Sequence, residues 1–184
     1  IKDDITNYGW INISCQKLTE EFIREFKDYI KWEWISTCRQ ELSENFIREF
    51  QQYLDWTYIS LEQKISEDFI REYEDKVCWT MISCRQSLSE QFIKDYNHKL
   101  EWRWISEYQN LSEDIITQFS DKVYWDYICS NKNIKLSEKF IRKFKDKVDW
   151  WEISHNQILS QKFIKEFKDK VDWWEISKTQ KLNE

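Results

Sequence analysis

LSENFIREFQQYLDWTYIS, residues 42–60, holds two helical signals in succession. Phe46, Ile47, Phe50 and Leu54 stand at intervals of one, three and four residues, the stripe of an amphipathic α-helix. Ser43 is placed to cap that helix, because its hydroxyl can accept from an orphan N–H in the first turn. Leu42 before the cap and Ile47 inside the helix match a hydrophobic staple. Glu44 and Arg48 form an acid-to-base pair four residues apart, an arrangement worth about 0.2–0.5 kcal/mol on an exposed face. Asp55 then offers a second cap, and Trp56, Ile59 and Gln63 continue at helical intervals. The spacing predicts a first helix of about 11–13 residues and a second of about 7–9.

The pattern recurs along the whole chain. Repeats begin at Leu18, Leu42, Ile65, Leu88, Leu111, Leu136 and Leu159, spaced 24, 23, 23, 23, 25 and 23 residues apart. FKDKVDWWEIS is written twice without change, at 144–154 and 167–177. Residues 1–17, with Trp10, Ile13 and Ser14, read as the back half of a degenerate repeat, in which Gly9 takes the capping place of Asp55, Asp149 and Asp172. Residues 18–181 hold seven full repeats, and 182–184 start another at Leu182. Trp32, Trp56, Trp79, Trp102, Trp125, Trp150 and Trp173 share one repeat position, and Ile35, Ile59, Ile82, Ile105, Ile128, Ile153 and Ile176 another. Two short helices cannot enclose a core alone, whereas stacked copies can. The expected architecture is all-α: residues 1–184 form one domain, a curved α-solenoid of about seven 23-residue helix-turn-helix repeats with partial repeats at both ends. The Glu–Arg pairs, repeated at Glu20/Arg24, Glu67/Arg71 and Glu138/Arg142, read as helix support.

Composition agrees and excludes alternatives. With 12 Trp, 11 Phe and 9 Tyr but no Pro and a single Gly, the chain lacks the turn residues of a β-sandwich or barrel. A net charge of −6 with both signs interspersed argues against a DNA-binding face. No apolar run approaches the roughly 20 residues of a membrane helix. IKDDITNYGW has neither a signal peptide's basic start nor its apolar stretch, and no initiator Met, so a processed or trimmed piece is expected. Cys15, Cys38, Cys78, Cys84 and Cys129 are scattered through the repeat, which suits free thiols in a reducing compartment and a cytosolic location.

Tandem LSExFIREFxDKVDWxxIS units, such as LSEKFIRKFKDKVDWWEIS at 136–154, resemble the short repeats of many proteins of mimivirus-like giant viruses of amoebae. The resemblance runs from about Trp10 onward and implies a virus-encoded repeat protein working inside the host cell. It brings no catalytic residues. The repeat from Leu111 departs most, with Ile115, Thr117 and Cys129 in place of the usual Phe, basic residue and Ser.

Little in the chain points to catalysis. His98 and His155 fall at different repeat positions, Cys78 and Cys84 lack an activating base, and one glycine cannot build a phosphate loop. No enzyme activity, cofactor or metal is expected. The informative feature lies two residues after the repeating Trp, at Trp34, Tyr58, Met81, Trp104 and Tyr127. In the last two repeats that place is Glu152 or Glu175, and the ring moves one residue earlier, to Trp151 or Trp174. These rings either fill seams between repeats or line a shared groove for a partner. Trp34, Tyr58, Trp104, Tyr127, Trp151 and Trp174 are the candidate partner-binding residues of a non-enzymatic protein–protein interaction scaffold, its partner a host or viral protein held on the concave face. The alternatives are a structural protein that self-associates through its ends and a nucleotide or single-stranded nucleic-acid binder, the latter disfavoured by the missing basic stripe.

Overall fold

A computed structural model describes residues 7–37 and 40–180; Cys38 and the repeat start at Leu182 lie outside the described residues. The architecture is an all-α array of stacked helical repeats, with fifteen helices and no strand among the described residues. The chain divides into two compact units, Ile1–Gln86 and Ser87–Glu184. Each repeat supplies a Ser- or Thr-capped helix and a helix that opens on its Trp. In the first unit these are Glu20–Glu25 and Trp32–Thr37, Glu44–Phe50 and Trp56–Glu62, and Glu67–Glu72 and Trp79–Arg85, preceded by Asn7–Ser14. In the second they are Glu90–Asp95 and Trp102–Tyr108, Glu113–Gln118 and Trp125–Ser130, Glu138–Lys143 and Trp150–Asn156, and Gln161–Glu166 and Trp173–Thr179. No helix among them is long and apolar enough to cross a membrane.

The predicted caps form. Thr19, Ser43, Ser66, Ser89, Ser112, Ser137 and Ser160 each accept from the N–H three residues on. Asp55, Asp149 and Asp172 cap Trp helices through a carboxylate oxygen. Gly9 does not act as their counterpart. It lies inside Asn7–Ser14, having no side-chain acceptor with which to stop a helix there.

The capped helix is shorter than its apolar stripe suggests, with six or seven residues instead of about 11–13. At the aromatic that follows it in most repeats the backbone leaves the helical well, as at Phe26 (φ −110°, ψ 20°) and Tyr73 (φ −118°, ψ 32°). The Phe26 carbonyl then accepts from the N–H groups of both Tyr29 and Ile30, forming one tight turn. The next carbonyl no longer has a helical partner and would be an orphan. In every full repeat the indole N–H of the repeating Trp donates to it, for example Trp32 to Lys27 at 3.2 Å, Trp102 to Asn97 at 2.9 Å and Trp173 to Lys168 at 2.9 Å. The Trp is thus the lock of the turn joining the two helices.

Four further ladders bind one repeat to the next. The repeating Ile side chains, from Ile35 to Ile176, are wholly buried. Beside them Ser60 donates to the Trp56 carbonyl at 2.7 Å and accepts from the Cys78 N–H at 2.9 Å. Glutamines clamp the junction of the preceding repeat with their own, using both ends of the amide: Gln63 donates to the Gln40 carbonyl at 2.6 Å and accepts from the Leu42 N–H at 2.9 Å. Gln157 repeats this on Ile134 and Leu136, and Gln180 on Gln157 and Leu159. The Glu–Arg pairs also cross the seams and are more than helix support. Glu44 accepts from the Ser66 N–H at 2.7 Å, while Arg48 pairs with Glu72 at 2.8 Å and lies 4.9 Å over the Phe69 ring.

The irregular repeat from Leu111 stacks through the same devices. Cys129 is fully buried and its sulfur accepts from the Asp149 N–H at 3.4 Å. Asn131 replaces the glutamine and donates to the Ser106 and Gln109 carbonyls. The longer spacing is absorbed by a turn in which the Asn131 carbonyl accepts from Ile134.

Candidate functional site

All six candidate rings lie on Trp helices, and each helix sets the direction of its ring. The Ile three residues after the Trp is buried and the Ser beyond it is clamped, so the position two residues after the Trp is carried to the edge of the stacked face. Successive residues on a helix differ by about 100°, which makes a one-residue shift a change of face.

Within the first unit the structure brings Trp34 and Tyr58 together. Each is 38% exposed, and with Glu33 and Thr37 they line a concavity of about 340 Å³ between Trp32–Thr37 and Trp56–Glu62. A larger hollow of about 570 Å³ shares Glu33, Thr37 and Tyr58 and extends over Tyr53, Lys31 and Asp55. Glu33 is exposed, whereas an Asp55 carboxylate oxygen accepts from the Thr57 and Tyr58 N–H groups at the helix start.

Within the second unit Trp104 and Tyr127 occupy the same two repeat positions but are bridged. The Arg103 guanidinium carbon lies 5.1 Å from the Trp104 ring centre and 5.5 Å from that of Tyr127. Trp104 also stacks on Tyr108 at 5.8 Å, and Tyr127 leans on Tyr124 at 6.2 Å. Arg103 is the member of this group that sequence reasoning passed over. Its signal was present: a basic residue between two rings, WRW, where the first repeat has WEW.

Trp151 and Trp174 do not continue that arrangement. Trp151, 49% exposed, stacks almost flat on His155 at 5.3 Å with a 4° tilt. Trp174, 70% exposed, carries the Lys178 ammonium 4.6 Å from its ring centre. At the position where four of the earlier repeats place a ring, Glu175 is buried and paired with His155 Nδ1 at 2.8 Å and Lys178 Nζ at 2.9 Å. The His155 hydrogen bond first, and then that of Lys178, hold the Glu175 carboxyl below the usual glutamate range. Glu152, one repeat earlier, moves the other way, because burial and the nearby Asp149 charge disfavour its ionised form. His155 is therefore part of a seam between repeats and not only a solvated histidine.

Among the described residues no cluster of His, Cys, Asp and Glu could hold a metal ion. Cys129 sits among buried atoms that push its thiol up to about 12, where it is a poor nucleophile. Compared with known protein families, with characterised proteins and with solved structures, the chain shows no match.

Proposed function

We propose that this chain is a non-enzymatic scaffold for protein–protein interaction whose contact residues are the exposed rings of the Trp helices. One observation carries the reading: Trp34, Tyr58, Trp151 and Trp174 remain between 38% and 70% exposed on helices that are held in place by other residues. Clamping through Ser, Gln, Asp and the repeating Trp makes the rings dispensable for stacking, and rigid exposed aromatics are favoured anchors in protein interfaces. With the likeness of the repeats to those of mimivirus-like giant viruses of amoebae, the partner is a host or viral protein met in the host-cell cytoplasm. Nucleic acid is the weaker candidate, since two of the cations beside the rings of the Trp helices are already engaged: Arg103 over two rings, and Lys178 with Glu175.

Capture from infected-cell lysate, with wild type beside a variant carrying Trp34→Ala, Tyr58→Ala, Trp151→Ala and Trp174→Ala, tests the proposal. A defined protein retained by wild type and lost from the variant, with the helical circular dichroism unchanged, is the expected result. Equal capture by both would remove the rings from the interface.

A further inference from the structure

The two ring pairs, Trp34 with Tyr58 and Trp104 with Tyr127, are built alike and filled differently. Each pair comes from consecutive repeats, from the same repeat position, with Trp in the earlier helix and Tyr in the later. Between Trp104 and Tyr127 the residue after the repeating Trp is Arg103, whose guanidinium lies within 5.5 Å of both ring centres. Between Trp34 and Tyr58 that residue is Glu33, and the rings instead line a concavity of about 340 Å³. Of the four residues lining that concavity, Glu33 alone is charged. Aromatic rings attract a cation through their quadrupoles, and an adjacent carboxylate adds to that attraction.

We propose that the Trp34–Tyr58 groove is a binding site for an arginine side chain presented by a protein partner. The internal Arg103 shows the pose: the same ring pair elsewhere in the chain holds a guanidinium of its own. Replacing Arg103 by its counterpart Glu33 removes the internal cation and puts a carboxylate in its place, so charge complementarity selects a basic occupant over an acidic or purely apolar one. Arginine suits the site better than lysine because its planar group stacks on aromatic faces and pairs with a carboxylate in the same pose. This inference rests on the scaffold reading and names the chemistry of its partner.

The test is a ¹H–¹⁵N NMR titration of the full chain with the blocked tripeptide Gly-Arg-Gly, and with Gly-citrulline-Gly as its uncharged isostere. The Trp34 indole signal is assigned as the one lost in Trp34→Phe. The arginine peptide should shift it, and the citrulline peptide should bind about tenfold more weakly. Glu33→Arg should abolish the response, because the groove then holds its own guanidinium as the Trp104–Tyr127 pair does. The Trp104 indole should stay still in wild type and respond in Arg103→Glu. An unmoved Trp34 indole, equal shifts with arginine and citrulline, or an unchanged titration in Glu33→Arg would each overturn the assignment. Failure here is separable from failure of the scaffold. A lysate partner lost with Trp34→Ala and Tyr58→Ala but indifferent to Glu33→Arg keeps the scaffold and removes the arginine. Capture indifferent to the rings, with the titration as expected, keeps the arginine site and removes the scaffold.

Discussion

The helices Trp56–Glu62 and Trp173–Thr179 share a backbone, an Asp cap, an indole-to-carbonyl lock and a glutamine clamp at the far end, yet present opposite chemistry two residues after their Trp. In the first helix Tyr58 is half-exposed over a groove. In the second, Glu175 is buried between His155 and Lys178 while Trp174 stands 70% exposed. One framework tolerates a ring or a carboxylate at that place, so stability resides in the locks and clamps. The exposed face lies outside those locks and clamps.

That division of labour is exposed to measurement, beginning with the lock. Trp102 is 9% exposed, donates to Asn97 and packs 4.7 Å from Phe119. Trp102→Ala should cost about 3–5 kcal/mol in denaturant unfolding, as expected for truncating a buried aromatic; a loss under about 1 kcal/mol would mean the locks carry little. Next comes the clamp. Gln63→Ala leaves the Leu42 N–H and the Gln40 carbonyl buried without this partner, and should cost about 2–4 kcal/mol in the same assay. If Gln63→Ala is neutral, water has entered the seam and the amide is not needed.

A smaller effect is expected at Glu175, whose partners reach solvent and are partly screened. Its carboxyl titrates below the ordinary glutamate range, so its contribution is complete above the unfolded value of about 4.3 and is lost as pH falls through the folded value. Wild type should therefore exceed Glu175→Gln in melting temperature at neutral pH, and the gap should close in acid. A gap that persists unchanged to about pH 3 would show that shape, not charge, sets the difference. Least of all should change in Tyr58→Ala. With the ring 38% exposed and outside every clamp, the loss should stay under about 1 kcal/mol. A larger loss would return Tyr58 to the core and erase the contrast with the buried Glu175.

Periodicity alone determined that this chain is an all-α repeat array, where its helices are capped, and which Ile positions form the buried spine. These are local matters: a Ser hydroxyl reaches an N–H three residues on, and an apolar stripe follows from 3.6 residues per turn. The candidate rings were also legible, because they recur at one repeat position. The end of each capped helix was not. Phe46, Phe50 and Leu54 keep intervals of four whether the chain continues as a helix or breaks into a tight turn, and no Gly or Pro marks the break. The glutamine clamps were hidden for a different reason. Gln63 looks like any polar residue near a helix end until the loop of the preceding repeat is laid against it. The role of Arg103 and the pairing of His155 with Glu175 likewise depend on neighbours 20 or more residues away in the chain, Tyr127 and Glu175. Hydrogen bonds and cation–ring contacts across a seam leave no period of their own, so only the stacking of repeat on repeat decided which polar groups are buried and which rings are filled.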